Sequence, residues 1–143
     1  MLIPHGSVVL VADGAKMLFF RNAGDAGRID LKVVEADQQR DAPDGAIKSD
    51  AAGRKAGGGT VGEADYHLQA EQRFAAEAAE RINRGALSGE YERLIIVASP
   101  KTLGELRKHY HKEAQSRIVA EIPKDLAGHP VDRIESALQS YEA

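Results

Sequence analysis

Two short apolar runs constrain this chain more than any other feature. Val8-Val9-Leu10-Val11-Ala12 and Leu94-Ile95-Ile96-Val97-Ala98 are continuous, rich in β-branched residues, and hold no polar position. Successive side chains of a strand point to opposite faces, so a strand with one wet face alternates apolar and polar residues. A run without that alternation reads as a strand covered on both faces. Neither run is long enough to span a membrane or to form the core of a signal peptide, and Asp13 ends the first of them. The segment from Met1 to Ser7 carries no basic cluster, which leads to the expectation of a soluble, cytoplasmic protein.

The segments between and around these runs supply the remaining elements. Asp13-Gly14 is the strongest two-residue hairpin signal, because both residue types tolerate positive φ. Lys16–Arg21 then returns as a strand with Met17, Leu18, Phe19 and Phe20 inside. Asn22 to Gly27 forms a second turn. Ile29–Glu35 alternates Ile29, Leu31 and Val33 against Asp30, Lys32 and Val34, predicting a half-exposed third strand. Helical spacing starts near Glu63, with Leu68, Ala75, Ala78, Ala79, Ile82 and Ala86 in one stripe and Phe74 at its edge. Thr60-Val61-Gly62-Glu63 fits a capping box, Asp65 is a rival cap, and Gly85 or Gly89 ends the helix.

Ser99-Pro100 follows the second apolar run and starts another helix, since serine caps and proline suits the first helical position. Leu103, Leu106 and Tyr110 line its inner face. Ser116–Ile122 reads as a strand. Pro130 opens a last helix with Val131, Ile134, Leu138 and Tyr141 at helical spacing. The order is βββαβαβα. The crossover from Leu94 to Ile122 is right-handed, which makes its two strands parallel. The expectation is one α/β domain of RNase-H-like order over residues 1–143, with a mixed five-stranded sheet and helices on both faces.

Composition removes several chemistries. The 143 residues contain no cysteine, so disulfides, thiol nucleophiles and cysteine-based metal sites are excluded. The net charge of −3 argues against bulk electrostatic binding to nucleic acid or membrane, while leaving room for a local basic patch. No Walker A sequence, dinucleotide fingerprint or Gly-x-Ser-x-Gly elbow occurs. The five histidines show no metal-binding spacing; His109 and His111, two apart, point to different faces of a helix. No cofactor and no metal is expected.

Asp37 to Gly62 has no periodicity and carries seven glycine or proline positions among charges of both signs, predicting a long flexible loop at 37–62. Within it, Arg54 and Lys55 stand beside Gly57, Gly58 and Gly59. Glycines let a ligand approach the backbone and adjacent cations suit phosphate, so these five residues are the leading ligand-binding candidates. Ser99, Lys101 and Thr102 form a second candidate, an anion site where a parallel strand feeds a helix N-terminus; plain capping is the competing explanation. A hydrolase reading would draw on Asp13 with Glu71 or Glu77, but the fourth strand ends Val97-Ala98-Ser99, without the carboxylate that two-metal chemistry takes from that place. Self-association through a sheet edge is a third reading.

Val9-Leu10-Val11-Ala12-Asp13-Gly14-Ala15-Lys16, the glycine-rich loop before a long helix, and Ile95 through Arg107 with its Ser-Pro-Lys-Thr-Leu-Gly-Glu-Leu-Arg string resemble the bacterial "protein required for attachment to host cells" family. That family is similar to the central domain of eukaryotic and archaeal translation release factors. Those factors carry Gly-Gly-Gln on the loop before the long helix, and the tripeptide promotes peptidyl-tRNA hydrolysis on the ribosome. The matching stretch here is Gly57-Gly58-Gly59-Thr60; the nearest glutamines are Gln39 and Gln69. The resemblance therefore implies the fold, an exposed loop and a ribosome or RNA partner, in a non-enzymatic module.

Overall fold

The computed structural model describes residues 1–38 and 59–141, and of residues 59–65 it describes the backbone. The two apolar runs are the strands β1 (Val8–Ala12) and β4 (Leu94–Ala98), and every residue of both is buried. They pair in parallel, in register from Val8 with Leu94 to Ala12 with Ala98. β2 (Lys16–Asn22) lies antiparallel on the other side of β1, and β3 (Leu31–Gln38) lies antiparallel beyond β2. β5 (Ile118–Pro123) is parallel to β4. The five-stranded order β3-β2-β1-β4-β5 is the expected mixed sheet.

Parallel registration puts like faces together. Val8, Leu10 and Ala12 join Leu94, Ile96 and Ala98 under α1 (Gly59–Ser88), α2 (Pro100–Arg107) and α3 (Lys112–Arg117). Val9, Val11, Ile95 and Val97 face the other way, against Ile3, Ala127 and α4 (Val131–Ser140), which contributes Ile134 and Leu138. Phe19 and Phe20, adjacent in β2, serve the two clusters separately. Full burial of an aliphatic or aromatic side chain contributes roughly 1.5–3 kcal/mol. The two central strands thus anchor both layers of helices.

Several local expectations are corrected. The β1–β2 hairpin uses neither of the positive-φ positions expected of Asp13-Gly14. Instead the Asp13 carboxylate accepts from the backbone of Ala15 (2.8 Å) and Lys16 (2.7 Å), forming an Asx-type turn. β3 is less buried than its alternation suggests: Leu31 is covered, while Val33 and Val34, where the pairing with β2 is interrupted by a β-bulge, are both exposed. At this edge position every residue after Leu31 is exposed, and pairing with β2 holds the strand. The Glu135 carboxylate accepts from the Leu31 backbone at 2.8 Å and pins its start. α1 begins at Gly59, so Thr60 and Asp65 lie inside the helix and do not cap it at Glu63. Leu68 is exposed; Ala70, Phe74, Ala75, Ala78, Ala79, Ile82 and Ala86 make the buried stripe. Residues 116 and 117 belong to α3, an additional short helix, and the strand starts at Ile118. Tyr110 falls beyond the end of α2 and is half-buried.

The far end of α1 is locked by two glycines. Gly89 has φ +74°, and a Schellman closure follows: Glu90 N–H donates to the Gly85 carbonyl at 2.9 Å and Gly89 N–H to that of Ala86 at 3.3 Å. Tyr91 then folds back under the helix and donates its hydroxyl to the Ile82 carbonyl. Burial pushes the Tyr91 phenol up to about 12. Beside it, Arg81 stacks 4.9 Å over Phe19 and holds Glu90 with two bonds of 2.7 Å and Glu35 at 2.8 Å. The Arg81 hydrogen bonds hold the Glu90 carboxyl below its ordinary value.

A Cβ at Gly85 would stand 2.5 Å from Cε1 of the buried Tyr91 ring. The ring cannot swing away without giving up its bond to Ile82. Gly85→Ala should therefore destabilise by about 1–2 kcal/mol through overpacking, against the roughly 1 kcal/mol that alanine ordinarily adds inside a helix. Urea denaturation of the variant measures this; a higher midpoint would contradict the packing account.

Candidate functional site

The carboxyl ends of β1 and β4 lie side by side, so Asp13-Gly14 and Ser99 emerge at one edge of the sheet. α1 crosses that edge closely. A Cβ on Gly14 would sit 2.9 Å from Cγ of Glu71, so glycine permits the approach. Glu71 in turn pairs with Lys101 at the start of α2, Oε2 to Nζ 3.3 Å. Gly14, Leu68, Glu71, Lys101, Thr102 and Glu105 line a narrow crevice of about 10 Å³, the space of a single water molecule.

At Ser99, Lys101 and Thr102 the geometry is that of a capped helix. Ser99 is extended (φ −61°, ψ 157°), and its Oγ accepts from the Thr102 backbone N–H at 3.3 Å. The same Oγ donates to Thr102 Oγ1 at 3.1 Å, and Pro100 takes the first helical position. An anion arriving here would compete with the Glu71 carboxylate for Lys101. The pairing of Lys101 with Glu71, thirty residues apart, has no signal in the sequence, because it depends on how α1 crosses the sheet edge.

The other candidate set leads into α1. Of its residues, Gly59 is the first of the helix; Arg54, Lys55, Gly57 and Gly58 lie outside the described residues. α1 has thirty residues, about 45 Å at 1.5 Å per residue, whereas the five-residue strands it covers span about 17 Å. From Tyr66 onward, where burial is described, the buried stripe starts at Ala70, while His67, Leu68 and Gln69 are exposed. Gly59 stands about 16 Å along the helix axis from Ala70. The glycine run ends where the helix begins.

The polar residues considered for catalysis are engaged structurally. The Asp13 carboxylate organises its turn. His111 caps α3 by accepting from the Glu113 backbone at 3.0 Å, and His5 donates from Nδ1 to the Gly24 carbonyl at 2.7 Å. Among the described residues, no three histidines, aspartates or glutamates gather as a metal-binding group, and no helix is long and apolar enough to cross a membrane.

The family model of bacterial archaeo-eukaryotic release factor family 12 matches residues 6–138, from the turn before β1 to the last core residue of α4. The chain belongs to this family. Family 12 membership supports the release-factor-like fold expected from the two strand motifs. An uncharacterized protein of Rickettsia prowazekii (strain Madrid E) is 40% identical over 53 residues, which is 37% of this chain and 35% of the relative. The matched segment thus spans about a third of that curated relative's length.

The capping geometry has a measurable consequence. Ser99→Ala removes the acceptor for the Thr102 N–H and should lower stability by about 1 kcal/mol. Lys101→Ala removes only an exposed ion pair and should change it by less than about 0.5 kcal/mol. Thermal or urea unfolding of the two variants separates these effects.

Proposed function

We propose that this family 12 protein is a non-enzymatic cytoplasmic module that associates with the ribosome or with RNA through the glycine-rich segment entering α1. One observation carries the reading: the run Gly57-Gly58-Gly59 leads directly into the thirty-residue helix α1, the place where the similar release factors carry Gly-Gly-Gln. The neighbouring Arg54 and Lys55 supply charge for phosphate. Thr60 follows the glycines instead of glutamine, so the reading assigns binding and no hydrolysis. Kinship with the host-attachment family rests on the same strand and Ser-Pro-Lys-Thr motifs, and concerns a cellular role exercised from the cytoplasm. No specific observation favours the hydrolase reading, since Asp13 is used by its turn and Glu71 by Lys101.

Co-sedimentation with ribosomes at low salt tests the proposal. The wild-type protein should travel with ribosomal particles, and Arg54→Ala with Lys55→Ala should weaken the association. Losing two phosphate contacts should also flatten the slope of log affinity against log salt by about 1.5. No co-migration, or co-migration indifferent to the double substitution, overturns the reading.

A further inference from the structure

The opposite edge of the sheet carries a second cleft, of about 200 Å³, where β1 and β4 begin and β2 ends. Its lining includes His5, Ser7, Arg21, Gly89, Glu92 and Arg93. Two features of this lining have no explanation in the packing. Ser7 is 97% buried, from a relative exposure of 3%, and its hydroxyl has no hydrogen-bond partner among the described residues. An unsatisfied buried hydroxyl costs about 1–3 kcal/mol, so most are paired.

Arg21 is the second feature. It is half-buried, yet no carboxylate among the described residues lies within ion-pair distance of its guanidinium. Two of its N–H groups reach the carbonyls of Gly6 and Glu90, both at 3.3 Å, which fixes the plane of the guanidinium and leaves its remaining donors without a partner among the described residues. Glu90, whose backbone carbonyl Arg21 reaches, has both carboxylate oxygens bound to Arg81. Arg93 stands at the rim, exposed, with its guanidinium in no ion pair or side-chain hydrogen bond among the described residues. Of the two lining glutamates, Glu90 is held by Arg81 and Glu92 has no pair among the described residues, so the two arginines outnumber the unpaired carboxylate.

We propose that this cleft binds a phosphate group, held by Arg21 and Arg93 with the Ser7 hydroxyl at its floor. Two guanidiniums match a tetrahedral, multiply charged oxyanion, because each presents planar pairs of donors. The volume lies below the usual 300–1,000 Å³ of small-molecule sites, which fits a phosphate group and excludes a whole nucleotide enclosed in the cleft. The group can come from free phosphate or from the 5′ end of an RNA. Neither source requires the association proposed for the glycine-rich segment, which enters the fold at the other edge.

The test is titration of the isotopically labelled full chain with inorganic phosphate at constant ionic strength, following backbone amides by NMR. Saturable shifts should appear at Gly6, Ser7, Gly89 and Arg93. Arg93→Ala, an exposed substitution that leaves the fold intact, should weaken the binding about tenfold, the effect of one charge-assisted hydrogen bond. Ser7→Ala should weaken it less while keeping the shift pattern. Short RNAs with a 5′ phosphate or a 5′ hydroxyl separate the sources: the same shifts from the phosphorylated RNA alone assign the group to an RNA end, and shifts from inorganic phosphate alone assign it to the free ion. Absence of saturable shifts, shifts located elsewhere, or binding unaffected by Arg93→Ala overturns the proposal.

Discussion

The parallel pairing of β1 with β4 is the contact on which the rest of the molecule depends. Both strands are buried along their full length, so each residue must find a partner layer above or below the sheet. In-register pairing from Val8–Leu94 to Ala12–Ala98 sorts those residues into two clean sets, one under α1, α2 and α3 and one under α4. It also aligns the strand ends. Asp13 and Ser99 emerge together at one edge, where α1 crosses, while Ser7 and Arg93 meet at the other. Both candidate regions are consequences of a single register.

The parts of the fold that were readable in the sequence are those set by local periodicity. The unalternating runs named β1 and β4, the alanine-rich stripe named α1, and Ser99-Pro100 named the start of α2 with its cap in place. The unreadable parts depend on position within the sheet. Val33 alternates like a half-buried residue but sits on an edge strand with no cover from the described residues. Leu68 keeps the helical phase of the core stripe, yet lies on the portion of α1 ahead of the sheet. Asp13-Gly14 marked a turn correctly, but its mechanism is a side-chain acceptor and not a pair of positive-φ residues.

The candidate sites divide along the same line. Ser99 and Thr102 were visible because capping is a matter of adjacent residues. The Glu71–Lys101 pair was invisible because it is made by a tertiary crossing, and so was the cleft of Ser7, Arg21 and Arg93, which come from three separate segments. The glycine-rich segment was conspicuous by composition alone. It joins the fold at the leading end of a helix far longer than the strands it covers. Family 12 membership adds that this join belongs to a release-factor-like protein, with Thr60 following the glycines.

Amide hydrogen exchange, with and without bound ribosomes, tests the central claim most directly. The account predicts that residues 37–62 exchange more slowly in the bound state, while β1 and β4 are protected equally in both. Ribosome binding that leaves exchange across 37–62 unchanged would contradict it.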